Sequence, residues 1–225
     1  MLLRRLPVLL AFLPWTVALP GYAQQAPVAT AARADTVNGR AERPDVKVGE
    51  SWRYRITDRY TNLTHAASFE VTAVTENRIH TQTSGGVIEI WDRNWNLTRQ
   101  GEIEYSPFYP SLQFPLEPGK RWSGTVQWKI SSGIMQHQVT AQVAGWERVT
   151  VPAGSFDAVK VILRGNFLES LTLSYYAQNG AVSHTIWYAP AVRQIVKKEI
   201  TQIDGTPTGL GTLAERWELT DYQAR

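Results

Sequence analysis

Beyond about residue 46 the apolar side chains recur at every second position. Trp52, Tyr54 and Ile56 alternate with Arg53, Arg55 and Thr57. Trp122, Val126, Trp128 and Ile130 alternate with Ser123, Thr125, Gln127 and Lys129, and Met135, His137, Val139, Ala141 and Val143 with Gln136, Gln138, Thr140 and Gln142. This is the period of a strand with one buried face, because successive side chains on a pleated backbone point to opposite sides. The same rule predicts strands through Phe69, Val71 and Ala73; Val159, Val161 and Leu163; Leu171, Leu173 and Tyr175; and Leu213, Trp217 and Leu219. After the first 23 residues no window has helical periodicity.

Turn residues punctuate these runs at Ser84-Gly85-Gly86, Ser132-Gly133, Pro152-Ala153-Gly154-Ser155, Asn179-Gly180 and Asp204-Gly205-Thr206-Pro207. Short turns between strands imply antiparallel pairing, since parallel strands need long crossovers. The fold class expected is all-β: an antiparallel meander of about ten to twelve strands, curled into an open or closed barrel, in one domain spanning 46–225. One stretch breaks the rhythm. From Glu104 to Gly119 four prolines fall within 16 residues, which precludes a central strand, yet the segment is rich in aromatic rings. It is expected to lie over one mouth or edge of the sheet, with Phe108, Tyr109 and Phe114 as a lid. An internal echo also appears. Gly49-Glu50-Ser51-Trp52 resembles Gly119-Lys120-Arg121-Trp122, and Ile90-Trp91 resembles Ile186-Trp187, which leaves duplication and chance recurrence both open.

The N-terminus has a different pattern. Arg4 and Arg5 precede an apolar run from Leu6 to Leu19, followed by small residues at Gly21 and Ala23. These are the parts of a cleavable export signal, 1–23, with the cut after Ala23. Fourteen residues interrupted by Pro7 and Pro14 are too few to span a bilayer, which takes ~20, so no transmembrane protein is expected. Residues 24–45 are small and polar and read as a flexible tether. The implied location is periplasmic or secreted.

Composition narrows the chemistry. The 225 residues contain no Cys, which excludes disulfides, thiolate metal sites and the acylated cysteine of a bacterial lipoprotein. Loss of the signal takes the formal charge from +3 to +1, so there is no basic excess for nucleic acid. No nucleophile elbow, zinc-protease motif or phosphate loop is present, and no catalytic residue is assigned. His65, His80, His137 and His184 lack the local spacing of a metal site, so no metal or cofactor is expected. Glu102 with Glu104, and Glu89 with Asp92 beside Trp91, are read as solvated strand charges rather than a glycosidase pair. Arg53, Arg55 and Arg59 form a basic ridge, read as edge-strand charge.

The nine Trp residues are the most informative feature. Burying one ring removes ~150–250 Å² from water, or about 4–6 kcal/mol at ~25 cal/mol per Å², so inward rings are core first. A curled sheet can also enclose more space than its side chains fill. Trp52, Tyr54, Trp91, Trp122, Trp128 and Trp217 are then the expected lining of a ligand cavity. The leading expectation is an exported, non-enzymatic carrier of an apolar or lipid-like ligand. The alternatives are a cell-envelope interaction module with a filled core and, more weakly, a carbohydrate binder or hydrolase using outward rings such as Trp146 or Trp187.

Three segments carry a family resemblance: Phe114-Pro115-Leu116-x-Pro118-Gly119-x-x-Trp122, Val151-Pro152-Ala153-Gly154-x-Phe156-x-Ala158, and Trp187-Tyr188-Ala189-Pro190-x-Val192 followed by Lys197. Together they resemble a broad group of exported bacterial proteins that form a domain of unknown function, similar to open lipocalin-like or lipoprotein-carrier-like β-barrels. The resemblance covers about residues 114–199. It implies a barrel in a Gram-negative periplasm and supplies no catalytic residues. It also implies a glycine just after Val192, where this chain has Arg193.

Overall fold

The computed structural model describes residues 39–130, 133–171, 177–204 and 213–224. The export signal, the tether up to residue 38, Leu173, Tyr175 and the 205–207 turn lie outside the described residues. Twelve strands form one antiparallel sheet. They are β1 (Ser51–Asp58), β2 (Thr64–Val74), β3 (Arg78–Thr83), β4 (Ile88–Asp92), β5 (Leu97–Gln100), β6 (Ile103–Glu104), β7 (Arg121–Ile130), β8 (Gly133–Val151), β9 (Gly154–Leu171), β10 (Ala177–Ala189), β11 (Gln194–Asp204) and β12 (Leu213–Gln223). Each strand pairs with its sequence neighbours except across the β6–β7 gap, and β12 returns to pair with β1. The gap is spanned just past β6, where Ser106 and Gln127 exchange two backbone hydrogen bonds of 2.8 and 3.0 Å. The meander is therefore a nearly closed barrel, as its alternation implies. No helix among the described residues is long and apolar enough to cross a membrane.

The alternation sets the two faces. On β1, Trp52, Tyr54 and Ile56 are buried while Arg53 and Arg55 face out. Those arginines are not edge charges, because β1 is paired on both sides. They reach across to β12 instead, Arg53 to Asp221 at 3.7 Å and Arg55 to Glu218 at 2.9 Å. Asn179-Gly180, expected as a turn, lies inside β10. The glycine is there for close approach: a Cβ at Gly180 would fall 2.1 Å from the Ile203 carbonyl oxygen and 2.4 Å from the Phe167 ring. The sequence echo has a counterpart in the fold. The two halves hold six strands each, and Gly49 and Gly119, at φ 84° and 87°, each precede a strand whose first inward ring is Trp52 or Trp122.

Eight strands make a barrel that side chains can just fill, and the diameter grows with strand number. Twelve strands need additional filling, and the segment between β6 and β7 provides it at one end. Leu112 and Leu116 are fully buried there, and Asn96 holds Leu112 through paired hydrogen bonds of 2.9 Å to its N–H and carbonyl. Phe114 meets the Tyr188 ring edge to face at 4.9 Å. Packing starts upstream of residue 46: Ala41 is buried and forms an antiparallel bridge with Leu116, with hydrogen bonds of 3.0 and 2.8 Å.

The Val192-Arg193-Gln194 turn joins β10 to β11 through a single 3₁₀ turn, Pro190–Val192. Arg193 sits at φ 54°, ψ 23°, the left-handed conformation that glycine adopts most easily. Its guanidinium ion-pairs with Glu50, whose side chain is wholly buried. Trp52 Nε1 donates to the Val192 carbonyl at 2.9 Å and Trp95 Nε1 to that of Arg193 at 3.1 Å, so this turn is bolted into the filled end.

Candidate functional site

Toward the other end the barrel keeps a cavity of about 580 Å³, well inside the roughly 300–1,000 Å³ of small-molecule sites. Tyr54, Trp91, Trp128 and Trp217 line it, four of the six residues expected to do so. Trp52 does not. It is sealed in the filled end, edge to face with Trp95 at 5.6 Å. Trp122 does not either, since its indole N–H donates to the Pro110 carbonyl at 3.0 Å and fixes the proline-rich segment. Of the three expected lid residues, only Tyr109 reaches the cavity. Phe108 is half-buried elsewhere, and Phe114 belongs to the packed end. The segment acts as a floor more than a lid.

Aromatic contacts fall into two groups on the wall. Tyr54 stacks on Phe69 at 5.5 Å and meets Trp217 at 6.0 Å, while Trp91 meets Trp95 edge to face at 5.6 Å. On the far side the Tyr109 hydroxyl and His137 Nδ1 are hydrogen-bonded at 3.2 Å, and the Tyr109 ring stacks on His184 at 5.5 Å. The Tyr54 hydroxyl donates to the Ile195 carbonyl at 2.6 Å, and burial pushes its pKa well up. Burial also keeps both imidazoles neutral, lowering His137 to about 4 and His184 to about 3, with Lys198 and then His137 adding to the shift at His184.

Two ionisable residues among these rings went unrecognised in the sequence. Glu89, read there as a solvated charge, is buried on the inward face of β4 beside Trp91. Gln100 Nε2 donates to its carboxylate at 2.8 Å and the Thr81 hydroxyl at 3.3 Å, while Trp91 Nε1 donates to Thr81 at 3.0 Å. Burial raises the Glu89 pKa more than these hydrogen bonds and Lys198 lower it. Lys198 lies on β11 opposite Trp217, with its ammonium 4.6 Å from the centre of that ring. It lines the cavity, and burial lowers its pKa against the pull of Glu215 and Glu89. Parity held the signal for both. Glu89 is two residues from Trp91, and Lys198 lies midway between Val196 and Ile200.

The other candidates do not converge. Asp92 caps the β4–β5 turn, accepting from the Asn94 and Asn96 N–H groups at 2.8 and 2.9 Å, so it does not pair with Glu89 across a site. Glu102 and Glu104 are exposed. Trp187 faces outward as expected for a sugar platform, but Lys197 and Lys160 lie 4.4 and 5.2 Å from its centre and it is buried. Trp146 donates to the Gly39 carbonyl at 2.7 Å. His65, Gln202 and Leu213 carry the cavity lining toward the ends of β2, β11 and β12, the ends at which the apolar Tyr60, Leu63 and Ile203 stand exposed.

No protein-family model and no curated protein sequence matches the chain. Among solved structures it is similar to the hypothetical lipoprotein YmcC of Escherichia coli, at 10% identity over 77% of this chain and 84% of that one, with a TM-score of 0.46. It is also similar to a predicted exported protein of YmcC-like fold from Bacteroides fragilis, at 13% identity over 81% and 99% of the two chains, with a TM-score of 0.49. Likeness at this level assigns neither activity nor location.

Proposed function

We propose that this chain is an exported, non-enzymatic carrier that holds an apolar or lipid-like ligand inside its barrel. The observation that carries the reading is the cavity of about 580 Å³ walled by Tyr54, Trp91, Trp128 and Trp217. Interiors normally close-pack at crystal-like density. Keeping this much space beside large rings forfeits dispersion contacts that a filled core would gain, and a ligand restores them. An interaction module with a filled core has no use for that volume. Export rests on the tripartite N-terminus.

The test is native mass spectrometry, with organic extraction, of the full chain purified from its own source. A bound mass that passes into the organic phase is expected. A clean protein mass, together with unchanged Trp fluorescence on adding fatty acids or phospholipids, would overturn the reading.

A further inference from the structure

Inside the cavity the wall offers one feature that an apolar ligand alone would waste. The Lys198 ammonium sits on the lining with the Trp217 ring beside it at 4.6 Å, and no carboxylate of the described residues is in ion-pair contact with it. Its neighbour in sequence shows the contrast. Lys197 points outward, pairs with Glu199 at 3.1 Å and covers Trp187. The two carboxylates whose charge reaches Lys198 are occupied by other donors: Glu89 by Gln100 and Thr81, and Glu215 by Trp217 Nε1 at 2.8 Å. Of the other titratable groups on this wall, His184 and His137 are neutral near pH 7 and Tyr54, Tyr105 and Tyr109 remain protonated, while His65 lies at the cavity's exposed edge.

A desolvated ammonium with open donors at the edge of an aromatic chamber is half of a charge-assisted hydrogen-bond pair. We infer that the ligand is an amphiphile with an anionic headgroup, its acid seated on Lys198 and its apolar part among Trp91, Trp128 and Trp217. This inference rests on the carrier reading and specifies its ligand class. The acid replaces hydration that the ammonium gave up on folding, and the low local dielectric strengthens the pair. Glu89 and Glu215 act on Lys198 through their charge without an ion-pair contact, and both already accept hydrogen bonds.

The experiment compares dodecanoate, dodecyl phosphate, dodecanol and dodecylamine on the full mature chain at pH 7.5, read by Trp fluorescence and calorimetry. Charge-assisted pairing predicts that at least one of the two anions binds about tenfold or more tighter than the alcohol, and that the amine binds more weakly than the alcohol. The tighter anion identifies the headgroup as carboxylate or phosphate. Lys198→Met keeps the apolar stem and should bring anions and alcohol to equal affinity, with Lys198→Gln as the second variant if the first fails to fold. Equal affinities of anions and alcohol for the unaltered chain, or a preference that survives loss of Lys198, would overturn this inference and leave the carrier reading intact. Failure of all four probes to bind would remove both.

Discussion

Replacing Arg193 with Gly separates two physical effects that pull in opposite directions. The residue occupies a left-handed position at φ 54°, which costs an L-residue ~1–2 kcal/mol relative to glycine. On backbone grounds alone Arg193→Gly should stabilise. The same change removes the guanidinium that pairs with Glu50, whose side chain is fully buried, and breaking a buried pair costs about 3–5 kcal/mol. Because the Arg193 side chain is 29% exposed, the lower part of that range applies, and the net expectation is a loss of about 2 kcal/mol. Adding Glu50→Gln should recover part of it, since a neutral amide is cheaper to bury than a carboxylate that has lost the Arg193 charge. Urea unfolding followed by Trp fluorescence reads both; at ~2 kcal/mol per molar, the single variant should lower the midpoint by ~1 M. A single variant as stable as the unaltered chain would refute the argument and show that relief of backbone strain fully offsets loss of the pair.

Three further outcomes follow from the same structure. Gly165→Ala should destabilise by at least ~1–3 kcal/mol, because its Cβ would stand 1.9 Å from the Gln138 carbonyl oxygen on β8, whereas Gly85→Ala, with its nearest atom at 3.8 Å, should change thermal stability little. His137 has a folded pKa of about 4 against 6.5, so the unfolded chain binds the extra proton: stability is full above pH 6.5 and falls toward pH 4 by about 3 kcal/mol. Glu89, raised by burial, acts in the opposite sense; the readout is therefore the difference between the unaltered chain and His137→Gln in urea titrations at pH 7 and 4.5, and an unchanged difference would contradict it. Phe114→Ala should cost about 3 kcal/mol in global unfolding through its packing on Tyr188, while Phe108→Ser should raise only local proteolysis of the 105–120 segment.

The parts of this architecture that depend on local alternation could be read directly from the chain. Trp52, Tyr54 and Ile56 point inward because period 2 leaves no other face for them, and the same logic placed His137 inside. The strand count followed from turn spacing, although Asn179-Gly180 misled: a glycine serving close packing looks the same in sequence as one serving a turn. The division of the barrel into a filled end and an empty end was not legible. It depends on where the proline-rich segment and Ala41 enter the interior, a long-range event that decides whether Trp52 and Trp122 are core or Trp91 and Trp128 are cavity wall. Lys197 and Lys198 show the same limit at one residue's resolution. Parity with Val196 and Ile200 separates the inward ammonium from the outward one, but only the folded barrel shows that the inward position meets a chamber and not packed core.

The central claim, that the barrel interior is a ligand site, is tested most directly by placing a heavy atom in it. Crystals of the mature chain grown with 12-bromododecanoate would be measured at the bromine absorption edge. The account predicts one anomalous peak inside the cavity, bounded by Trp91, Trp128 and Trp217, with the acid density ending at Lys198. Bromine peaks confined to the outer surface, with the cavity holding only water, would contradict it.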